Sequence, residues 1–291
     1  MLTNKSIIST LELELTGRCA LQCVHCYADS GPAGTHGTMT NDDWASVIDQ
    51  GVALGIPQVQ FIGGEVTTHS GLDRLVRYAL SQERTVEIYS SLFAISRKHW
   101  ELFCLPGVSL ATSYYSDQAD EHDQVTQRPG SHVRTRSNII EALRRSIPLR
   151  VGIVDAIYGQ RVEQAREELR TLGIARIGTD WVRGIGRAAR MPADVSQLCG
   201  KCARTKVAIS PYGDVWPCVM ARWMRLGNVH DAPLAEIIGS EAWRQLVSTI
   251  PAARSLTSMC NPECKPGTGD GSDCAPAETE ACDPSFCDPD S

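Results

Sequence analysis

Apolar and polar residues alternate without a break in Thr10-Leu11-Glu12-Leu13-Glu14-Leu15, the period of two that a β-strand requires. A Gly/Pro/Thr-rich loop follows. Thr40-Asn41-Asp42-Asp43 then reads as a helix start with acids in its first turn, and the pattern through Trp44, Val47, Ile48 and Val52 runs to Gly55. Beyond that helix the two periods take turns. Strands are predicted over 59–62, 85–89, 108–113, 149–154 and 174–182, and helices over 72–81, 97–103, 134–145 and 162–172. Parallel strands need long crossovers, and helices are the usual ones. Six β-strands separated by helices therefore predict an α/β fold, a partial (β/α)6 TIM-like barrel. Functional groups are expected on the loops at the carboxyl ends of the strands.

After about residue 190 the texture changes. Eight of the twelve cysteines lie there, one helix is predicted over 234–247, and from Cys260 onward Pro, Gly and Asp dominate with few apolar residues. Such a segment orders only when ligands hold it. The expectation is a barrel over 1–190 and a small cysteine-rich, cluster-folded domain over 191–291.

Composition narrows the function classes. The 291 residues carry 28 Lys+Arg against 34 Asp+Glu. From Cys260 to the end there are eight acids and one base, so the deficit sits in the tail and the remainder is nearly neutral. No basic face suited to nucleic acid emerges. No run of 18 apolar residues is present to span a membrane, and no secretion signal opens the chain. The expected compartment is the cytoplasm, where thiols stay reduced, so metal or cluster ligation is preferred to disulfides. Cys104, within Leu102-Phe103-Cys104-Leu105, reads as a small core hydrophobe, His69 and His99 as surface residues, and Trp181 and Trp216 as core packing.

The sharpest chemical signal is Cys19-x3-Cys23-x2-Cys26, directly after the first strand. Three thiolates within eight loop residues can bind three irons of a cubane cluster and leave the fourth iron open. A structural zinc site wants four ligands, and His25, adjacent to Cys26, is poorly placed as the fourth. After the second strand comes Gly63-Gly64-Glu65, where glycines allow close backbone approach and a carboxylate suits an ammonium group.

Together these motifs resemble the radical S-adenosylmethionine (SAM) superfamily. The resemblance implies a 4Fe–4S cluster on Cys19, Cys23 and Cys26 whose open iron chelates the methionine of SAM. It also implies cofactor contacts from Gly63, Gly64 and Glu65, with Val66 standing where the family often has proline. By the same likeness Ser113 contacts SAM, although a polar strand end before a capped helix explains it equally well. Arg183-Gly184-Ile185-Gly186-Arg187 is similar to a segment near the adenine in relatives, or is a flexible exit to the next domain. The C-terminal region resembles the SPASM extension, through Cys202-x10-Gly213-x4-Cys218 and the Gly227-Asn228-Val229 stretch. The last five cysteines depart from the usual SPASM spacing. By family order, Cys199, Cys202, Cys218 and Cys282 hold one auxiliary 4Fe–4S cluster, and Cys260, Cys264, Cys274 and Cys287 another. One cluster with spare thiols, or a zinc in the tail, remains open.

The resemblance implies a one-electron reductant (flavodoxin or ferredoxin), reductive cleavage of SAM to a 5′-deoxyadenosyl radical, and hydrogen abstraction from a substrate. A peptide substrate is expected, in ribosomal peptide natural-product maturation by crosslink, thioether or oxidation. With the barrel starting near Thr10, a leader-binding domain is expected on a separate protein. The alternatives are a decarboxylase, dehydrogenase or epimerase of a small molecule, a non-catalytic iron–sulfur or zinc module, and a disulfide-rich binding protein. No acid–base or hydrogen-donor residue can be named from the sequence.

Overall fold

The computed structural model describes residues 8–251. Cys260, Cys264, Cys274, Cys282 and Cys287 lie outside them. Nine strands form one sheet in the order β6-β5-β4-β3-β2-β1-β7-β8-β9. Strands β1 (Thr10–Thr16), β2 (Gln58–Gly63), β3 (Thr85–Tyr89), β4 (Val108–Tyr114), β5 (Leu149–Asp155) and β6 (Arg176–Trp181) run parallel. Helices α1 (Asn41–Ala53), α2 (Leu72–Ser81), α3 (Arg97–Phe103), α4 (Ala119–Thr126), α5 (Ser131–Arg144) and α6 (Val162–Thr171) cross between them. The sheet stays open, as the expected partial barrel requires.

The alternation in β1 has a less ordinary meaning than one wet face. Leu11, Leu13 and Leu15 pack outward on the helices, in a core with Trp44, Ile48 and Leu75. Glu12 and Glu14 point the other way, yet they are 0% and 1% exposed. They belong to a set of fixed charges on the concave face. Lys206 Nζ lies 3.3 Å from Glu12, and Arg150 grips Glu87 through two hydrogen bonds of 2.8 Å while Gln60 donates to the same carboxylate. Burial alone would raise the pKa of Glu87. The Arg150 guanidinium more than offsets that and holds it below the usual value.

The region after residue 190 joins the same sheet. Strand β7 (Lys206–Ile209) pairs parallel with β1, Thr10 opposite Lys206 and Leu13 opposite Ile209. Antiparallel β8 (Asp214–Trp216) and β9 (Gly227–Asn228) continue outward. The turn after β8 is pinned back to β1. Val219 N donates to Glu12 at 3.0 Å, and Arg222 pairs with Glu14 while stacking 4.2 Å from the centre of the Trp216 ring.

Several local expectations need correction. The stretch after β4 contains α4, whose buried side of His122, Val125 and Thr126 is too polar to show a helical apolar period. The helix expected over 234–247 is two, α7 (Leu234–Gly239) and α8 (Glu241–Thr249). Ser240 breaks it by adopting an extended conformation and accepting from Trp243 N, a new N-cap. Cys104 is exposed, because it is the C-cap residue of α3 and follows the buried Leu102 and Phe103. His69 and His99 are half-buried rather than on the surface. Trp216 is buried as expected, whereas Trp181 is 43% exposed. No described helix is long and apolar enough to cross a membrane.

Candidate active site

A cavity lies at the carboxyl ends of the strands. Cys19, Cys23 and Cys26 form part of its wall, together with Gly63, Gly64 and Ser113. Every residue expected to touch the cluster or SAM therefore reaches this cavity, apart from Glu65. The three-cysteine loop leaves β1 without an intervening helix. Its thiols receive backbone hydrogen bonds, Leu21 N to Cys19 Sγ at 3.4 Å and Ser30 N to Cys26 Sγ at 3.3 Å. Burial pushes the Cys19 thiol up to about 12, with the nearby Glu65 carboxylate adding to it, and burial pushes Cys23 upward as well. Thiols so disfavoured as free anions suit a bound metal, whose charge offsets that cost.

Glycines at 63 and 64 are required by close approach. Gly63 has φ +131, and a Cβ there would lie 2.6 Å from the Thr16 carbonyl oxygen. A Cβ on Gly64 would collide with the Arg18 carbonyl oxygen. The loop after β2 thus lies directly on the cysteine loop, with Gly64 N donating to Thr16 O at 2.6 Å and Glu65 N to Arg18 O at 2.7 Å. Glu65 itself stands behind the wall, 3% exposed. Its carboxylate accepts from Ser90 Oγ at 2.8 Å, Ser91 N at 2.9 Å and the hydroxyls of Ser91 and Thr67. It braces the turn that puts Ser91 on the cavity wall. Ser113 shares a hydrogen bond of 2.9 Å with Tyr89.

The segment after β6 is no mere exit. Arg187 donates to Cys23 O and to Ser30 O, each at 2.6 Å, and pairs with Asp29 at 3.0 Å. Its backbone N donates to Cys26 O at 2.9 Å. Gly186 has φ +61, and a Cβ on it would strike the carbonyl oxygens of Cys26 and Tyr27. One arginine thus holds the second half of the cysteine loop, from Cys23 to Ser30. Asp180, Arg183 and Met220 complete the far wall, with Arg183 paired to Asp180 at 3.0 Å.

Two buried histidine nitrogens on this wall, Nδ1 of His25 and of His122, have no hydrogen-bond partner among the described residues. Burial lowers His25 to about 4 and His122 to about 3, the latter with help from His132. Both are neutral at pH 7, and their unused nitrogens suit a polar guest. The sequence reading did not give His25 this role or place Ser91 on the wall, and it named Arg187 within the segment near the adenine without its hold on the cysteine loop.

Among the expected auxiliary ligands, Cys202 and Cys218 come together from either side of β7, with Sγ atoms 2.9 Å apart and no solvent exposure. Burial drives the Cys218 thiol well up, the neighbouring Cys202 adding to it. Cys199 is half-buried, packs in one apolar cluster with Cys202 and Cys218, and accepts from Lys201 N at 3.4 Å.

The radical SAM superfamily profile matches residues 13–172, and that of an iron–sulfur cluster-binding SPASM domain residues 199–265. The chain belongs to the radical SAM superfamily. Radical SAM and SPASM domains together bring a 4Fe–4S cluster, SAM and auxiliary clusters as cofactors. Among curated relatives, the antilisterial bacteriocin subtilosin biosynthesis protein AlbA of Bacillus subtilis is 23% identical over 75% of this chain and 57% of its own length. A PqqA peptide cyclase of Rhodopseudomonas palustris is 28% identical over 49% of this chain and 38% of its own. The chain thus spans about half the length, or less, of these radical SAM relatives. Among solved structures, Streptococcus suis SuiB bound to S-adenosylmethionine superimposes with a TM-score of 0.70 at 14% identity, covering 84% of this chain and 68% of that one. The enzyme anSMEcpe with AdoMet and the Cp18Cys peptide does so with a TM-score of 0.64 at 10% identity, covering 86% and 85%. These likenesses establish the radical SAM fold.

Proposed function

We propose that this chain uses SAM to generate a radical that modifies a peptide, in the maturation of a ribosomally made natural product. The observation that carries the reading is the convergence of Cys19, Cys23 and Cys26 with Gly63 and Gly64 on one cavity. In this reading the three cysteines ligate the cluster, the Gly63-Gly64 backbone and Ser113 face SAM, and His25 and His122 offer neutral nitrogens to bound polar groups. A cluster held by these three cysteines would supply the electron for reductive cleavage of SAM, and with it the capacity to remove hydrogen from a substrate. The protein's own task is to orient the reactants and keep water out. The partly apolar far wall with Met220 and the paired Asp180 and Arg183 is where a substrate side chain would rest. Cys199, Cys202 and Cys218, with cysteines outside the described residues, hold auxiliary iron–sulfur centres that take up an electron or fix the substrate. The reductant is a flavodoxin or ferredoxin, and a separate leader-binding protein presents the peptide.

Support for a peptide comes from the relatives named for subtilosin and PqqA processing. The test is 5′-deoxyadenosine release by anaerobically reconstituted protein given SAM and dithionite, against a Cys19→Ala/Cys23→Ala/Cys26→Ala variant. Release by the wild type alone is the expected result. Adding candidate precursor peptides should then raise the rate. Saturable turnover of a free sugar or nucleoside instead would replace the peptide with a small molecule.

A further inference from the structure

Outside the cavity, the back of the cysteine loop meets a second feature. Phe93, in the turn after β3, packs in one apolar cluster with Cys19 and Leu21, and Ala20 and Cys23 border it. Two exposed arginines lie over the same ring, their guanidinium carbons 5.4 Å (Arg128) and 5.0 Å (Arg134) from its centre. Neither is engaged in an ion pair with any described residue. A groove opens beside them, lined by Phe93, Ala94, Ile95 and Val133 and by the polar Ser96, Arg134, Ser137 and Asn138. Val133 is 59% exposed there. The surface thus combines unpaired positive charge, exposed apolar side chains and a single aromatic ring between solvent and a cysteine of the loop.

We infer that the groove lined by Phe93, Ile95, Val133 and Arg134, together with Arg128 over the same Phe93 ring, is the docking surface for an acidic one-electron carrier protein. The inference rests on the radical SAM reading above and names where its electron enters. Charge complementarity selects the occupant: carboxylates of the carrier meet Arg128 and Arg134, and the apolar rim of its exposed cofactor meets Ile95 and Val133. Phe93 then brings the carrier within one side chain of Cys19. One electron passes from the reduced carrier to the oxidised cluster, and no bond forms or breaks. Long-range attraction between opposite charges speeds encounter and weakens with salt.

The experiment is anaerobic stopped-flow reduction of the reconstituted holoenzyme by flavodoxin hydroquinone, followed by bleaching of the cluster's visible absorbance. The expected result is a wild-type rate that falls as salt rises. An Arg128→Glu/Arg134→Glu variant should be at least tenfold slower at low salt, and dithionite should reduce both proteins equally. An Arg74→Glu/Arg77→Glu variant, with the same charge change on α2, should match the wild type. If the charge reversal prevents folding, Arg128→Gln/Arg134→Gln should still slow the flavodoxin reaction severalfold. Wild-type rates in the arginine variants overturn the proposal. A wild-type rate that rises with salt also overturns it, since the chain's own acidic C-terminal segment would then be the occupant. Failure of dithionite to reduce the wild type would instead remove the radical SAM reading on which the proposal stands.

Discussion

The guanidinium of Arg187 donates a 2.6 Å hydrogen bond to the carbonyl oxygen of Cys23, across 164 positions of sequence. Its second nitrogen reaches Ser30 O at the same distance. Hydrogen bonds from charged donors are worth about 1.5–3 kcal/mol each, and losing them here would free the loop that holds all three thiols. Arg187→Met is expected to fold, yet to retain clearly less iron after reconstitution and desalting. Arg187→Lys should fall between, since a lysine cannot span both carbonyls with a rigid fork. Iron per chain, measured with far-UV circular dichroism as the folding control, checks this.

Gly64→Ala forces a methyl group against the backbone of Gly17 and Arg18, with no flexible side chain to give way. Strain of this kind costs about 1–3 kcal/mol or displaces the loop. The expected outcome is a lower unfolding midpoint and loss of SAM binding. Gly239→Ala, which meets nothing within 4 Å near the end of α7, should leave both unchanged or raise stability slightly.

On the concave face, Arg150→Met would strand the Glu87 carboxylate, whose side chain is 9% exposed, beside Gln60. Breaking a buried pair from one side typically costs about 3–5 kcal/mol. Adding Glu87→Gln to Arg150→Met removes the orphaned charge and should restore a large part of that loss. Denaturant midpoints of the two single variants and the double variant give the coupling.

His122 contributes, in the same direction as His25, to the pH dependence of stability. Burial holds its folded pKa at about 3, against 6.5 for the free side chain. The unfolded chain therefore binds the extra proton first. Stability from this group is complete above 6.5 and drains away as pH falls from 6.5 toward 3. Between pH 7.5 and 5.5 the loss should be on the order of 1 kcal/mol. His122→Gln should show a correspondingly flatter slope over that window in urea unfolding, even if it is less stable throughout.

Much of the barrel could be read from periodicity. The spans expected for α2, β3 and α3 coincide with those found, because each is a short run with one clear apolar face and a turn at either end. Helix α4 was invisible because the residues it buries include His122 and Thr126. The direction of the β1 glutamates was equally hidden, since alternation shows that two faces differ and not that the polar one meets Lys206 and Arg222 instead of water. Within the site, the cysteine loop and the glycine pair were legible as local motifs. The hold of Arg187 on that loop was not, because it donates mainly to backbone carbonyls, which leave no mark on residue type. Cys104 failed for a related reason: apolar neighbours on both sides in sequence say little about a residue at the end of a helical turn.

Strand β1 pairs on one side with β2, 48 positions later, and on the other with β7, 196 positions later. As the chain emerges during synthesis, the first edge can be satisfied early and the second must wait until almost all of the barrel has been made. Until then the row of donors and acceptors from Thr10 to Leu13 is open to any extended segment, the circumstance in which strands add to the wrong partner. β7 therefore acts as a late seal. A chain truncated before residue 206 is expected to keep its helices and to associate through this edge.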